Sequence, residues 1–154
     1  MTETLTLSID AMGGDNAPNI VVEGIETSLS HLAEVKFLLF GDEVKLAPLL
    51  ENHPWAAAVT EIRHTVEAIT NDQKVSSALR GGRNSSMRLA IDAVGAGEAA
   101  GVISAGNTGA LMAMAKFVLK TLPGIDRPAI AAYYPTQRGE SVMLDLGANV
   151  DCDA

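Results

Sequence analysis

Apolar residues change their spacing repeatedly along the chain, and each change marks an element. "TLTLSI", ending at Ile9, alternates and is rich in β-formers, which predicts a first strand. Pro18 suits a helix start, where its missing N–H is not needed, and "NIVVEGIETSLSHLA" then carries apolar residues at helical spacing. "VKFLLF", Val35 to Phe40, is an unbroken apolar run closed by Gly41 and Asp42, the profile of a strand buried on both faces. A short helix from Glu43 to Glu51, interrupted by Pro48, leads through the turn-like "NHPW" to a third strand in "AVTEIRH".

Ser85 to Val94 has the helical pattern again, "AAGVISA" is a short fourth strand, and Ala110 to Leu122 forms a strong helix stopped by Pro123 and Gly124. "AIAAYY" and "SVMLDL" are two more strands joined through "PTQRGE" as a hairpin. Strand and helix alternate until that pair, which predicts a three-layer α/β fold with a mostly parallel sheet and an antiparallel finish. A single α/β domain over residues 1–154 is expected. The last strand has no helix after it to cover it, so the chain reads as the N-terminal part of a longer protein.

Composition narrows the function classes. The 154 residues are 47% hydrophobic and carry a formal charge of −8, with no basic stripe for nucleic acid. Aromatic residues make up 4%, which leaves little for base stacking. Cys152 is the single cysteine, and His31, His53 and His64 are scattered, so no disulfide or metal site is expected. No basic leader precedes an apolar core and no run reaches bilayer length, which points to a cytoplasmic protein.

Parallel sheets collect ligands outside the carboxyl ends of their strands, and every unusual stretch falls at such an end. "SAGNTGA" is the best anion cradle: Ser104, Asn107 and Thr108 supply neutral donors, Gly106 and Gly109 let the backbone approach, and the following helix adds its dipole. It lacks the lysine of a Walker loop and does not fit GxGxxG, so a small phosphate group suffices. The plainer reading is a tight turn with Asn107 or Thr108 as helix N-cap.

The loop "DAMGGDNAP" pairs Gly13 and Gly14 with Asp10 and Asp15, whose charges would repel a phosphate. Asp15 or Asn16 could cap the helix near Pro18 and Asp10 could accept N–H bonds from the turn; direct contact with a ligand or metal is the alternative. "DLGAN" offers Asp145 and Asn149 around Gly147, either to orient an amide or water or as ordinary turn residues. His64 and Thr65 follow the third strand, with His64 either a general acid or base or a structural group. Arg80, Arg83 and Arg88 could dock an acidic partner or hold a phosphate, or lie on a solvated helix start capped by Ser85.

"DAMGGDNAP", "SAGNTGALMA", "GIDRPAIA" and "LDLGANVDC", in this order, together resemble the bacterial phosphate acyltransferases of phospholipid synthesis. The resemblance implies transfer of a long-chain acyl group from acyl carrier protein to inorganic phosphate, giving an acyl-phosphate, with no organic cofactor. It implies a fold similar to the phosphotransacetylases and the isocitrate and isopropylmalate dehydrogenases, a homodimer, and peripheral work at the cytosolic face of the membrane. Substrate-binding positions carried over are Asp10, Gly13, Gly14, Asp15, Ser104, Gly106, Asn107, Thr108, Gly109, Asp145 and Asn149, with no catalytic acid or base among them. The segment before "SSM" departs from the pattern, with "GGRN" in place of a lysine pair and no proline in "TNDQKV". A phosphotransacetylase-like enzyme using acyl-coenzyme A and a non-catalytic module that binds acyl carrier protein are the alternatives. The chain lacks the dinucleotide fingerprint of a dehydrogenase.

Overall fold

Residues on alternate faces of the strands divide between two helical layers, and this division organises the computed structural model, which describes residues 4–145. The strands β1 (Leu5–Asp10), β2 (Val35–Gly41), β3 (Thr60–His64) and β4 (Gly101–Ile103) form one sheet in the order β3-β2-β1-β4. Every pairing within it is parallel. Ile9, Val35, Phe37 and Leu39 point to one face, where they pack with Val22 and Ile25 of α1 (Asn19–Ser28), Leu46 and Leu50 of α2 (Glu43–Glu51) and Ala56 of α3 (Pro54–Val59). Leu38 and Phe40 point to the other, against Ala90 and Ala93 of α5 (Ser86–Gly95). Helices α4 (Val75–Gly81) and α6 (Thr108–Leu119) close over α5 through Ala78, Met87, Ile91, Ala110 and Met114.

The predicted parallel α/β sheet is therefore present, with four differences along its length, the first that α1 stops at Ser28 although its apolar pattern runs to Ala33. "NHPW" is the start of a helix rather than a turn: Pro54 occupies its first position, alanines follow, and the Glu26 carboxylate accepts the Ala56 N–H at 2.7 Å. Helix α4 falls in "VSSALRG", where only Ala78 is fully buried and the apolar pattern is too short to read. Helix α6 begins at Thr108 rather than Ala110 and ends at Leu119 rather than Leu122, with Lys120 at φ 67° breaking it before Pro123 is reached.

The chain divides into two units at Leu119. In the second, β5 (Ala131–Thr136) and β6 (Gly139–Leu144) form the expected antiparallel hairpin, turning through Gln137 and Arg138 into Gly139 at φ 133°. Tyr133, Tyr134, Val142 and Leu144 on it are exposed.

A candidate anion site at the strand-order reversal

The strand order reverses direction between β1 and β4, and in such sheets the loops after the two central strands part to leave a crevice. β1 ends at Asp10 and the loop after it carries Ala11 to Ala17, while the loop after β4 carries Ser104 to Asn107. They touch. A Cβ on Gly13 would lie 2.9 Å from Ser104 Oγ and 3.0 Å from the Gly106 nitrogen. Gly14 sits at φ +104° with Ala105 against it, a backbone that L side chains rarely adopt. The doubled glycine is therefore the means by which these two loops approach each other.

Asp10 is buried, 2% exposed, and its side chain leaves β1 on the face covered by α5. Its carboxylate accepts the hydroxyl protons of Ser86, at 2.5 Å, and Ser104, at 2.7 Å, and the Met12 N–H at 3.3 Å. Ser86 opens α5, so the negative charge also rests against a helix N-terminus, a favourable place for it. Of the two neighbouring serines, Ser85 is the N-cap, accepting the Arg88 N–H, which leaves the Ser86 hydroxyl to reach Asp10. Ser86 carried no separate sequence signal beyond that pairing of serines at a helix start.

Ser104 in turn accepts the Gly106 N–H at 3.1 Å, so the carboxylate, the hydroxyl and the turn form one chain of hydrogen bonds. Asn107 is the N-cap of α6: its Oδ1 accepts the Ala110 N–H at 3.0 Å. Its amide nitrogen donates to the carbonyls of Gln73, at 2.9 Å, and Asn71, at 3.1 Å. Asn71 donates to the Asp15 carboxylate at 2.6 Å, and the Asp72 carboxyl nearby is held below the usual carboxylate range by the Thr70 hydroxyl. The segment 70–73 is thus tied to both glycine-bearing loops. Sequence reading marked this stretch, "TNDQKV", only for lacking a proline, because its grip comes from main-chain carbonyls, which no residue type announces.

Two of the three expected side-chain donors, those of Ser104 and Asn107, are consequently spent on holding the turn. What remains for an anion is the backbone: among the described residues, no acceptor takes the N–H of Thr108 or Gly109, the first two positions of a twelve-residue helix with no acid in its first turn. Neither Asp15 nor Asn16 caps α1, whose N-cap is Pro18 with no side-chain bond; Asp15 pairs with Asn71 instead. Asp10 takes its bonds chiefly from serine hydroxyls rather than from the glycine turn.

Other predicted residues lie elsewhere. His64 Nδ1 accepts the Glu43 N–H at 3.1 Å at the start of α2, whose N-cap is Asp42, and Thr65 donates its hydroxyl to the Asn84 carbonyl at 2.6 Å. Arg80, Arg83 and Arg88 line an open hollow beside Phe117, with Arg88 paired to Asp92 at 2.9 Å. Asp145, at φ 62°, lies in the second unit and donates its N–H to the Ile130 carbonyl. Gly147, Asn149 and Cys152 lie outside the described residues. Among the described residues, no group of three His, Cys, Asp or Glu could hold a metal, and no helix is long and apolar enough to cross a membrane.

Replacing Asn107 by alanine removes the α6 cap and the tie to 70–73 together. A loss of about 1–2 kcal/mol in unfolding free energy is expected, read by urea denaturation. An unchanged midpoint would mean that water satisfies the helix start equally well.

The chain is similar along its whole length to proteins named phosphate acyltransferase. The relative from Rhodospirillum centenum is 64% identical over all of this chain and 43% of its own length. That from Rhodospirillum rubrum is 58% identical, again over all of this chain and 44% of its own length. The relative from Granulibacter bethesdensis is 58% identical over 98% of this chain and 41% of its own. The chain thus spans less than half the length of these relatives. The family described as fatty acid synthesis protein matches residues 5–154, and the chain belongs to that family.

Proposed function

We propose that this chain supplies the phosphate-binding part of an enzyme that moves a long-chain acyl group from the thioester of acyl carrier protein to inorganic phosphate. The observation that carries the reading is the pair of N–H groups on Thr108 and Gly109, open at the start of α6 where the strand order reverses. Relatives named phosphate acyltransferase support the acyl-transfer part of the reading.

In this reading phosphate is its own nucleophile. One of its oxygens attacks the thioester carbonyl, the carbon–sulfur bond breaks, the sulfur leaves with the electron pair and takes up a proton, and acyl-phosphate is released. The turn contributes position and charge stabilisation. Asp10 acts at one remove, holding Ser104 and through it the turn; its own charge is shielded from the anion by the hydroxyls it accepts. The reading extends to a fold related to the phosphotransacetylases and the isocitrate and isopropylmalate dehydrogenases, a homodimer, a cytoplasmic setting at the membrane face, and Arg80, Arg83 and Arg88 as a docking patch for acidic acyl carrier protein.

A proline at 108 tests the backbone donor directly. The first position of a helix tolerates proline, so Thr108→Pro deletes one N–H and leaves α6 in place. In the full-length protein, KM for phosphate is expected to rise about tenfold or more, the worth of a hydrogen bond to a charged group, while Thr108→Ala changes it little. Equal KM values in both variants would remove the turn from the phosphate site. Phosphate-dependent thiol release from acyl carrier protein and from coenzyme A thioesters, run side by side, identifies the donor.

A further inference from the structure

Along α1, on the face of the sheet opposite Ser86 and α5, lies an open apolar groove of about 330 Å³, within the lower range of small-ligand sites. Its sheet wall is Leu7, Ile9, Phe37 and Ile103, and Ile20 and Ile25 stand on its helix wall. Ile20 and Ile103 are each 48% exposed, an unusual state for two isoleucines facing one hollow. The groove's polar members are already occupied: the Ser28 hydroxyl donates to the Ile25 carbonyl, and Asp10 and Ser104 bond to each other. Nothing there is set up to recognise a polar ligand.

We infer that this groove holds the aliphatic chain of the acyl substrate and that Gly24 sets how far the chain can reach. The inference rests on the acyl-transfer reading above. One end of the groove is formed by Ser104 and Ala105, the residues that lead into the N–H-bearing turn, so a chain lying in it ends with its carbonyl carbon at the phosphate. Helix α1 returns antiparallel to β1, which puts Ile20 at that end and Ser28 at the far one, about 12 Å away at the helical rise. Gly24 lies midway on the same helical face. It sits in a helix interior, where glycine weakens the helix relative to alanine, and a Cβ built on it meets nothing within 4 Å. The missing side chain leaves room in the groove at that point.

Octanoate and palmitate are the probes, titrated against the native full-length protein and its Gly24→Leu and Gly24→Ala variants. Leucine favours the helix more than glycine does, so the variant is expected to fold. Palmitate should bind wild type more tightly than octanoate, and Gly24→Leu should weaken palmitate about tenfold or more, the burial of two or three methylenes, with octanoate within about twofold. Gly24→Ala should follow wild type. An equal loss for both probes, an unchanged palmitate affinity in Gly24→Leu, or no palmitate binding to wild type because another segment of the protein fills the groove would each overturn the inference. Phosphate-dependent thiol release is read separately. Length-selective binding without turnover in any form keeps the groove and removes the acyl-transfer reading, whereas turnover without length-selective binding does the reverse.

Discussion

Asp10→Ala should lower the unfolding free energy by roughly 3 kcal/mol, because it strands the fully buried hydroxyl of Ser86 and takes the acceptor from half-buried Ser104. Ser86 is fully buried and Asp10 nearly so, so at Ser86 no solvent molecule can replace the carboxylate cheaply. Against a typical total of about 5–15 kcal/mol this is a large share. Asp10→Asn keeps the volume and one acceptor but loses the charge that rests against α5, so a loss of about 1 kcal/mol is expected. Urea denaturation followed by circular dichroism ranks the three proteins. Equal midpoints for wild type and Asp10→Ala would show that the serines find other partners at no cost.

Gly13→Ala attacks the same junction from the other loop. The new methyl would have to occupy space already held by Ser104 Oγ, the Gly106 nitrogen and the Asp10 carboxylate, so either the loops separate or the hydrogen-bond chain between them breaks. Overpacking of this kind costs about 1–3 kcal/mol. The functional effect should exceed the thermodynamic one, since the turn that presents the Thr108 and Gly109 N–H groups is braced by that chain. Amide resonances of Thr108 and Gly109 should move on adding inorganic phosphate to wild type and stay fixed in Gly13→Ala. Matching titrations in both would show that the turn holds its shape without the close approach.

Elements with strong apolar patterns were legible in the sequence, and short ones were not. "VKFLLF" announces a doubly covered strand because every layer around it is apolar, and β2 buries Val35, Phe37, Leu38, Leu39 and Phe40. Helix α4 escapes the same reading because seven residues give too few turns for a period to show and only Ala78 among them is fully buried, in the cluster it shares with α5 and α6. At the site, glycine spacing and the N-cap role of Asn107 could be read from residue types. The use of Asp10 could not: whether a strand-end aspartate faces solvent, a ligand or two serines depends on what the tertiary fold brings against it, and Ser86 arrives from 76 residues away. Similarly, the tie between Asn107 and segment 70–73 uses carbonyls, which are identical at every residue.

The two borders of the sheet are not equivalent. On β3, alternating Glu61 and Arg63 form an ion pair at 2.8 Å, with Glu98 reaching Arg63 as well, and charged side chains on a border strand discourage further pairing. On β4 the border is the three-residue Gly101–Ile103, short and without a charge, its Ile103 half exposed. Any strand that joins this sheet therefore has one hospitable side. Growth there would lengthen the rim that carries "SAGNTGA", whereas growth beyond β3 would add strands far from it. An unguarded β4 also carries a hazard for the chain on its own: two copies can pair through it, so self-association should fall when a lysine replaces half-exposed Ile103.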